Sequence, residues 1–75
     1  MATEAEIIDA RGLKCPLPVL KMEKRLAVLK PGAILVVLAT DPMAKVDIPL
    51  YCRRNDHACT LDIAGDEMRF TITRA

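Results

Sequence analysis

The chain has no tryptophan, one tyrosine and one phenylalanine, so it lacks the material for an aromatic platform that stacks nucleic-acid bases. It also lacks an excess of either charge. Eleven basic and ten acidic side chains are interspersed to a formal net charge of +1, which removes a broad electrostatic case for DNA or an anionic membrane and leaves room only for a local basic patch. No long apolar run occurs: the longest nearly apolar stretch, Ala33 to Thr40, is far too short to span a bilayer. The amino-terminal residues have neither the basic start nor the apolar core of a secretion signal, so the expected location is the cytoplasm, with no membrane partner. Cysteines stand at positions 15, 52 and 59, an odd number that leaves at least one thiol outside any intramolecular pairing, and a reducing compartment keeps all three free.

What is present suits a small packed domain. Hydrophobic residues make up 52% of 75 residues and charged residues 28%, enough for one core and too little for two, so the expectation is a single domain over 1–75. No internal repeat, low-complexity segment or linker divides the chain.

Glu6-Ile7-Ile8-Asp9 reads as a first strand that ends before Gly12. From Pro16 the pattern becomes helical. Val19, Met22, Leu26 and Leu29 recur on one face, Leu20 and Ala27 widen the stripe, and Lys21, Glu23, Lys24 and Arg25 fall to the solvent side. Pro16 suits the first helical position, Pro18 still lies within the first turn, and Pro31-Gly32 stops the helix. Ile34 to Ala39 is an uncharged aliphatic run expected at the centre of a sheet, closed by Asp41-Pro42. Because Pro49 interrupts a long helix, the next segment reads as a turn over Asp41 to Lys45 and a short helix from about Asp47. Asp47 is then its cap, and Ile48, Tyr51 and Cys52 form its inner face. Asn55-Asp56-His57 punctuates that helix. Cys59 to Ile63 and Arg69 to Thr73 alternate as strands around a Gly65-Asp66 turn. The expected fold is an α/β two-layer sandwich of order βαβαββ, a mixed four-stranded sheet with two helices on one face.

The chemistry concentrates in Gly12-Leu13-Lys14-Cys15-Pro16-Leu17-Pro18. Cys15 directly precedes the predicted helix, where unpaired amides and the positive helix end favour a thiolate, so its pKa is expected to fall, with Lys14 as a further nearby positive charge. Pro16 and Pro18 fix the backbone that presents the sulfur, Gly12 allows a backbone path that a side chain would obstruct, and Asp9 can tie down loop amides. Arg53 and Arg54, with Arg11 and Lys14, make either a basic rim facing a partner or a solvated surface.

Several uses of that cysteine can be separated. Position 18 is proline where a second redox cysteine would stand, which excludes dithiol chemistry within the motif. A protease-like pair would have to use His57, beyond the second helix, a spacing that gives it no support. Cys52 and Cys59 fall on apolar faces and read as structural. A zinc site built from them and His57 matches no common ligand spacing and lacks a fourth ligand, so no metal and no cofactor are expected. A single nucleophilic sulfur can instead take sulfur from a persulfide and pass it on by the displacement logic of thiol-disulfide exchange. The residues alone leave open an inert Cys15 that merely packs.

The run Asp9-Ala10-Arg11-Gly12-Leu13-Lys14-Cys15-Pro16-Leu17-Pro18, with Pro31-Gly32, Asp41-Pro42 and Asp47-Ile48-Pro49 behind it, resembles the TusA family, also called SirA-like, of small sulfur carriers. The resemblance extends over nearly the whole chain. It implies a two-layer sandwich similar to the carboxy-terminal domain of bacterial translation initiation factor three, with Cys15 on the sulfur-carrying cysteine and Asp9, Gly12, Pro16 and Pro18 in the motif that shapes its surroundings. A cysteine desulfurase or rhodanese-like protein is the implied donor. The implied acceptors serve tRNA thiolation, molybdenum-cofactor synthesis or, with DsrE-like proteins, sulfur oxidation. The competing readings are an interaction or regulatory module in which Cys15 only packs, and an RNA-binding domain, against which near-neutral charge and missing aromatics count.

Overall fold

The computed structural model describes residues 5–75. Its elements are β1 (Glu6–Ala10), α1 (Leu17–Leu26), β2 (Ile34–Ala39), α2 (Ala44–Arg54), β3 (Ala58–Ala64) and β4 (Glu67–Thr73). The strands form one sheet in the order β1-β2-β4-β3. β1 lies parallel to β2, a pairing that needs a crossover and receives it in α1, while β4 is antiparallel to both β2 and β3. The uncharged run at β2 therefore occupies the interior of the sheet, as its composition predicts.

Register explains the core. Ile8 pairs with Val37, Val37 with Phe70 and Phe70 with Leu61, so one row of side chains crosses all four strands on the same face. The neighbouring row joins Leu35, Ile72 and Cys59. Both helices cover this face with residues four apart: Pro18, Met22 and Leu26 from α1, and Ala44, Ile48 and Cys52 from α2. Met22, Leu35, Val37, Ile48, Phe70 and Ile72 are fully buried, and among the described residues no polar or charged side chain shares their interior.

Three helix boundaries differ from expectation. Pro16 is the residue before α1 and not its first member; Leu17 and Pro18 open the helix. The regular part of α1 ends at Leu26. Val28 and Leu29 then donate to the carbonyls of Arg25 and Leu26 in a tighter turn, five residues ahead of Pro31-Gly32. α2 begins at Ala44, three residues before Asp47, and carries Pro49 within it. Asp41 organises that start: its carbonyl accepts from Ala44 N at 2.9 Å and its Oδ1 from Met43 N at 3.0 Å. Asp47 is thus a first-turn acid whose own amide donates to Met43, and it caps nothing. The hydrogen bond missing at Pro49 faces the carbonyl of Lys45, an exposed residue, where water can replace it.

The far end of α2 is closed by a Schellman turn. Asp56 takes a positive φ of 61° and donates to the Arg53 carbonyl at 3.3 Å, and His57 N donates to the Cys52 carbonyl at 2.8 Å. This geometry accounts for the punctuation at Asn55-Asp56-His57 and returns the chain over Cys52 into β3.

Candidate functional site

Parallel strands β1 and β2 both end at the same edge of the sheet, and the loops that leave them, residues 11–16 and 40–43, meet there. Carboxyl ends of parallel strands are the usual seat of ligand chemistry in α/β sheets. Cys15 sits in the first of these loops, half-buried, with a cis peptide bond to Pro16.

The loop is pinned by four backbone contacts. Leu13 N reaches the Ala10 carbonyl at 3.2 Å, and Leu17 N the Lys14 carbonyl at 2.9 Å. Gly12 N donates to Thr40 Oγ1 at 2.9 Å, and Cys15 N donates to Asp41 Oδ2 at 2.8 Å. One Asp41 carboxylate therefore holds the cysteine loop with one oxygen and the start of α2 with the other. Those amide hydrogen bonds keep its carboxyl below the usual range, and the charge of Lys14 acts in the same direction. Gly12 adopts φ +79° with open space where a Cβ would project, so the glycine is required by its backbone angle and not by crowding.

Asp9 holds only the beginning of the loop. Its Oδ1 accepts from Arg11 N at 3.1 Å, and its carboxylate pairs with the Arg11 guanidinium at 2.8 Å, which lowers its pKa to about 2. Arg11 is bound a second time by Glu67 at 3.1 Å and so is committed to intramolecular pairs. The remaining predicted basic residues divide. Lys14 lines a cleft of about 320 Å³ with Gly12, Leu13, Thr40, Asp41 and Pro42. Arg54 lines another of about 220 Å³ with Pro16, Val19, Asp47, Leu50 and Tyr51. Arg53 faces a third cleft, which holds Cys52, His57 and Cys59.

The electrostatics around the sulfur reverse the expected direction. Burial, a hydrogen bond with Asp47 and the charges of Asp47 and Asp41 together push the Cys15 thiol up to about 11. The amide of Cys15 is already taken by Asp41, and the helix begins beyond it, so the helix end does not dominate the thiol. Asp41 and Asp47 are the neighbours of Cys15 that pattern reading missed. Both sit in segments that mark helix and strand ends in the sequence, and nothing in that punctuation announces that they fold back onto a loop some thirty residues earlier.

His57 is engaged elsewhere. Its Nδ1 accepts from Ala75 N at 2.9 Å and its ring stacks on Tyr51 at 6.2 Å. Among the described residues, no group of three or more His, Cys, Asp or Glu side chains is placed to hold a metal ion. The arrangement offers one addressable sulfur with a carboxylate beside it and shallow clefts on either side.

The family model described as Sulfurtransferase TusA matches residues 6–74. A candidate sulfur carrier protein of Neisseria meningitidis serogroup A is 43% identical over 68 residues, covering 91% of this chain and 90% of that one. The sulfur carrier protein TusA of Pseudomonas fluorescens is 46% identical over 50 residues, 67% of this chain and 60% of the other. In three dimensions, the crystal structure of a SirA-like protein from Desulfitobacterium hafniense superposes with a TM-score of 0.82, covering 93% of this chain and 96% of that one at 22% identity.

Proposed function

This chain belongs to the TusA family, and from that membership we propose that it is a sulfur carrier whose cargo rides on Cys15. The observation that carries the reading is the presentation of Cys15: a lone sulfur in a pinned loop at the carboxyl ends of β1 and β2, with a carboxylate as its proton partner. Such a site suits receipt and delivery of one atom between partners, and the protein acts as a carrier in a relay and not as a turnover enzyme on its own.

The transfer balances as a displacement on sulfur. Asp47 takes the thiol proton as Cys15 Sγ attacks the terminal sulfur of a donor persulfide; the donor's S–S bond breaks and its thiolate leaves, recovering the proton. Cys15 now carries the persulfide, and an acceptor cysteine attacks its outer sulfur in the same way. Donor persulfide plus carrier thiol become donor thiol plus carrier persulfide, with no external oxidant. Asp41 keeps the loop in place while the sulfur changes.

Donors of the cysteine desulfurase or rhodanese-like kind fit this chemistry. A DsrE-like or other protein thiol is the proposed acceptor, within a relay for tRNA thiolation, molybdenum-cofactor synthesis or sulfur oxidation. The exposed Leu17 and Leu50, with Lys14 and Arg54 in the flanking clefts, supply a docking face around the sulfur. Residues 1–75 act as one carrier domain in the cytoplasm; among the described residues no helix is long and apolar enough to cross a membrane. The raised thiol pKa lends weight to a second reading, an interaction module in which Cys15 stays protonated and only packs.

Intact mass spectrometry after incubation with a persulfide donor separates the two. The carrier reading requires a gain of one sulfur atom on the wild-type protein, absent in Cys15→Ser and discharged by a small thiol. An unmodified Cys15 beside undiminished partner binding in that variant establishes the module instead.

A further inference from the structure

Two further cysteines lie outside the Cys15 site. Cys52 ends the buried row of α2 and is 1% exposed, whereas Cys59 is the second residue of β3 and half-buried. The Schellman turn brings the chain back over the last turn of α2, because His57 N is bonded to the carbonyl of Cys52 itself. Register then aligns Cys59 with Ile72, on the face that the helices cover, so its side chain points toward α2. The two thiols line the same cleft, pack into the same core and lie close enough to shift each other's titration. β3 is an edge strand, and a cleft of about 450 Å³, lined by Cys52, Cys59, Arg53 and His57, opens beside it. A small reagent can therefore reach Cys59, with Cys52 behind it, without unfolding the domain.

We propose that Cys52 and Cys59 constitute a dithiol–disulfide site, oxidised within one chain by a low-molecular-weight disulfide. Cys59 acts first. It is the more exposed of the two, and the neighbouring Cys52 holds its thiol pKa down, while Cys59 and burial hold Cys52 up. The Cys59 thiolate attacks one sulfur of the small disulfide, whose S–S bond breaks to release a thiolate. Cys52 then attacks the Cys59 sulfur of the mixed disulfide and expels the second thiolate. The protein loses two hydrogens and is oxidised, the small disulfide is reduced to two thiols, and the protons of Cys52 and Cys59 end on those products. In a reducing compartment such a bond forms transiently and reports oxidant exposure. Nothing in this exchange uses Cys15, which has neither cysteine among the groups that shape its titration.

The test uses glutathione disulfide with the full chain, as wild type and as Cys15→Ser, quenched with acid and a maleimide. Arg53 and Arg54 stand between the two cysteines, so tryptic cleavage puts them on separate peptides unless a bond joins them. Expected are the loss of two hydrogens from Cys15→Ser, no maleimide on Cys52 or Cys59, and one joined peptide pair that a thiol reductant separates. The wild-type peptide map must show the same pair. With Cys52→Ser, Cys59 retains one glutathione; with Cys59→Ser, Cys52 stays unmodified by glutathione. A stable glutathione adduct on Cys59 with Cys52 present, or maleimide on both after oxidation, overturns the proposal. Because Cys15 is absent from the decisive variant, failure here does not bear on sulfur carriage, and failure of sulfur carriage does not bear on this pair.

Discussion

At the scale of single residues, Cys15 combines a nucleophile's position with an environment that keeps its proton on. Its thiol is held at about 11 against an ordinary 9.0, first by burial and then by Asp47 and Asp41. Between pH 7 and pH 10 the thiolate fraction of such a group rises about tenfold per pH unit, so iodoacetamide alkylation of Cys15 should climb through that range and reach half of its plateau near pH 11. Asp47→Asn removes a charge and weakens the hydrogen bond, which should lower the pKa and speed alkylation at pH 8 by roughly three- to tenfold. A wild-type profile that levels near pH 8.5, or an unchanged rate in the variant, would contradict this account of the site. The linkage to folding has a definite sign: a thiol raised in the folded state favours folding below its ordinary pKa of 9.0. That contribution disappears as pH rises through about 11. The same variant should slow sulfur uptake despite its more acidic thiol, since Asp47 is the proposed proton acceptor.

At the scale of elements, Pro49 carries the sharpest contrast between pattern and structure. A proline inside a helix removes a hydrogen bond and crowds the preceding turn, so the residue pattern argues for a helix beginning near Asp47. The chain instead starts α2 at Ala44, because Asp41 satisfies the first amides and because Ala44, Ile48 and Cys52 bury completely against the sheet. Tertiary burial outweighs the local penalty. Replacing Pro49 by Ala should restore the bond to the Lys45 carbonyl; a gain of about 3 kcal/mol in helix preference, less about 1 kcal/mol of added chain entropy in the unfolded state, leaves about 2 kcal/mol of stabilisation. Chemical denaturation checks this, and a destabilised variant would mean that the proline ring's packing in the cleft it lines matters more than the helix bond. The strands and α1 were legible because each has a periodic apolar face of its own. So was the Cys15 loop, since its prolines and glycine carry their backbone restrictions with them. Asp41 and Asp47 were not, because a carboxylate that reaches across the fold to Cys15 leaves the same mark in the sequence as one that ends a strand or starts a helix.

At the scale of the molecule, a sulfur carrier must keep its fold while the loop proposed to bear its cargo is offered to partners, and the structure separates those tasks. The core is a single layer of side chains between sheet and helices, centred on Phe70, which is fully buried on the strand that α2 covers and pairs with Val37 and Leu61 on either side. The Cys15 loop contributes Leu13 and Cys15 only to the margin of that core. For a domain of 75 residues the total stability expected is about 4–11 kcal/mol, and removing a buried phenylalanine side chain typically costs about 3–5 kcal/mol. Phe70→Ala should therefore leave the domain largely or wholly unfolded at 37 °C. Ile63→Ala, on the same face of β3 but 55% exposed beyond the helices, should change stability by less than about 0.5 kcal/mol. Cys15→Ser belongs with Ile63→Ala in stability and apart from it in function: its unfolding curve should overlay the wild type while persulfide loading is lost. Urea titration of the three variants followed by circular dichroism tests the separation directly. A Cys15→Ser protein as unstable as Phe70→Ala would show that the loop is part of the fold's foundation, and its loss of sulfur loading could then no longer be assigned to the missing nucleophile.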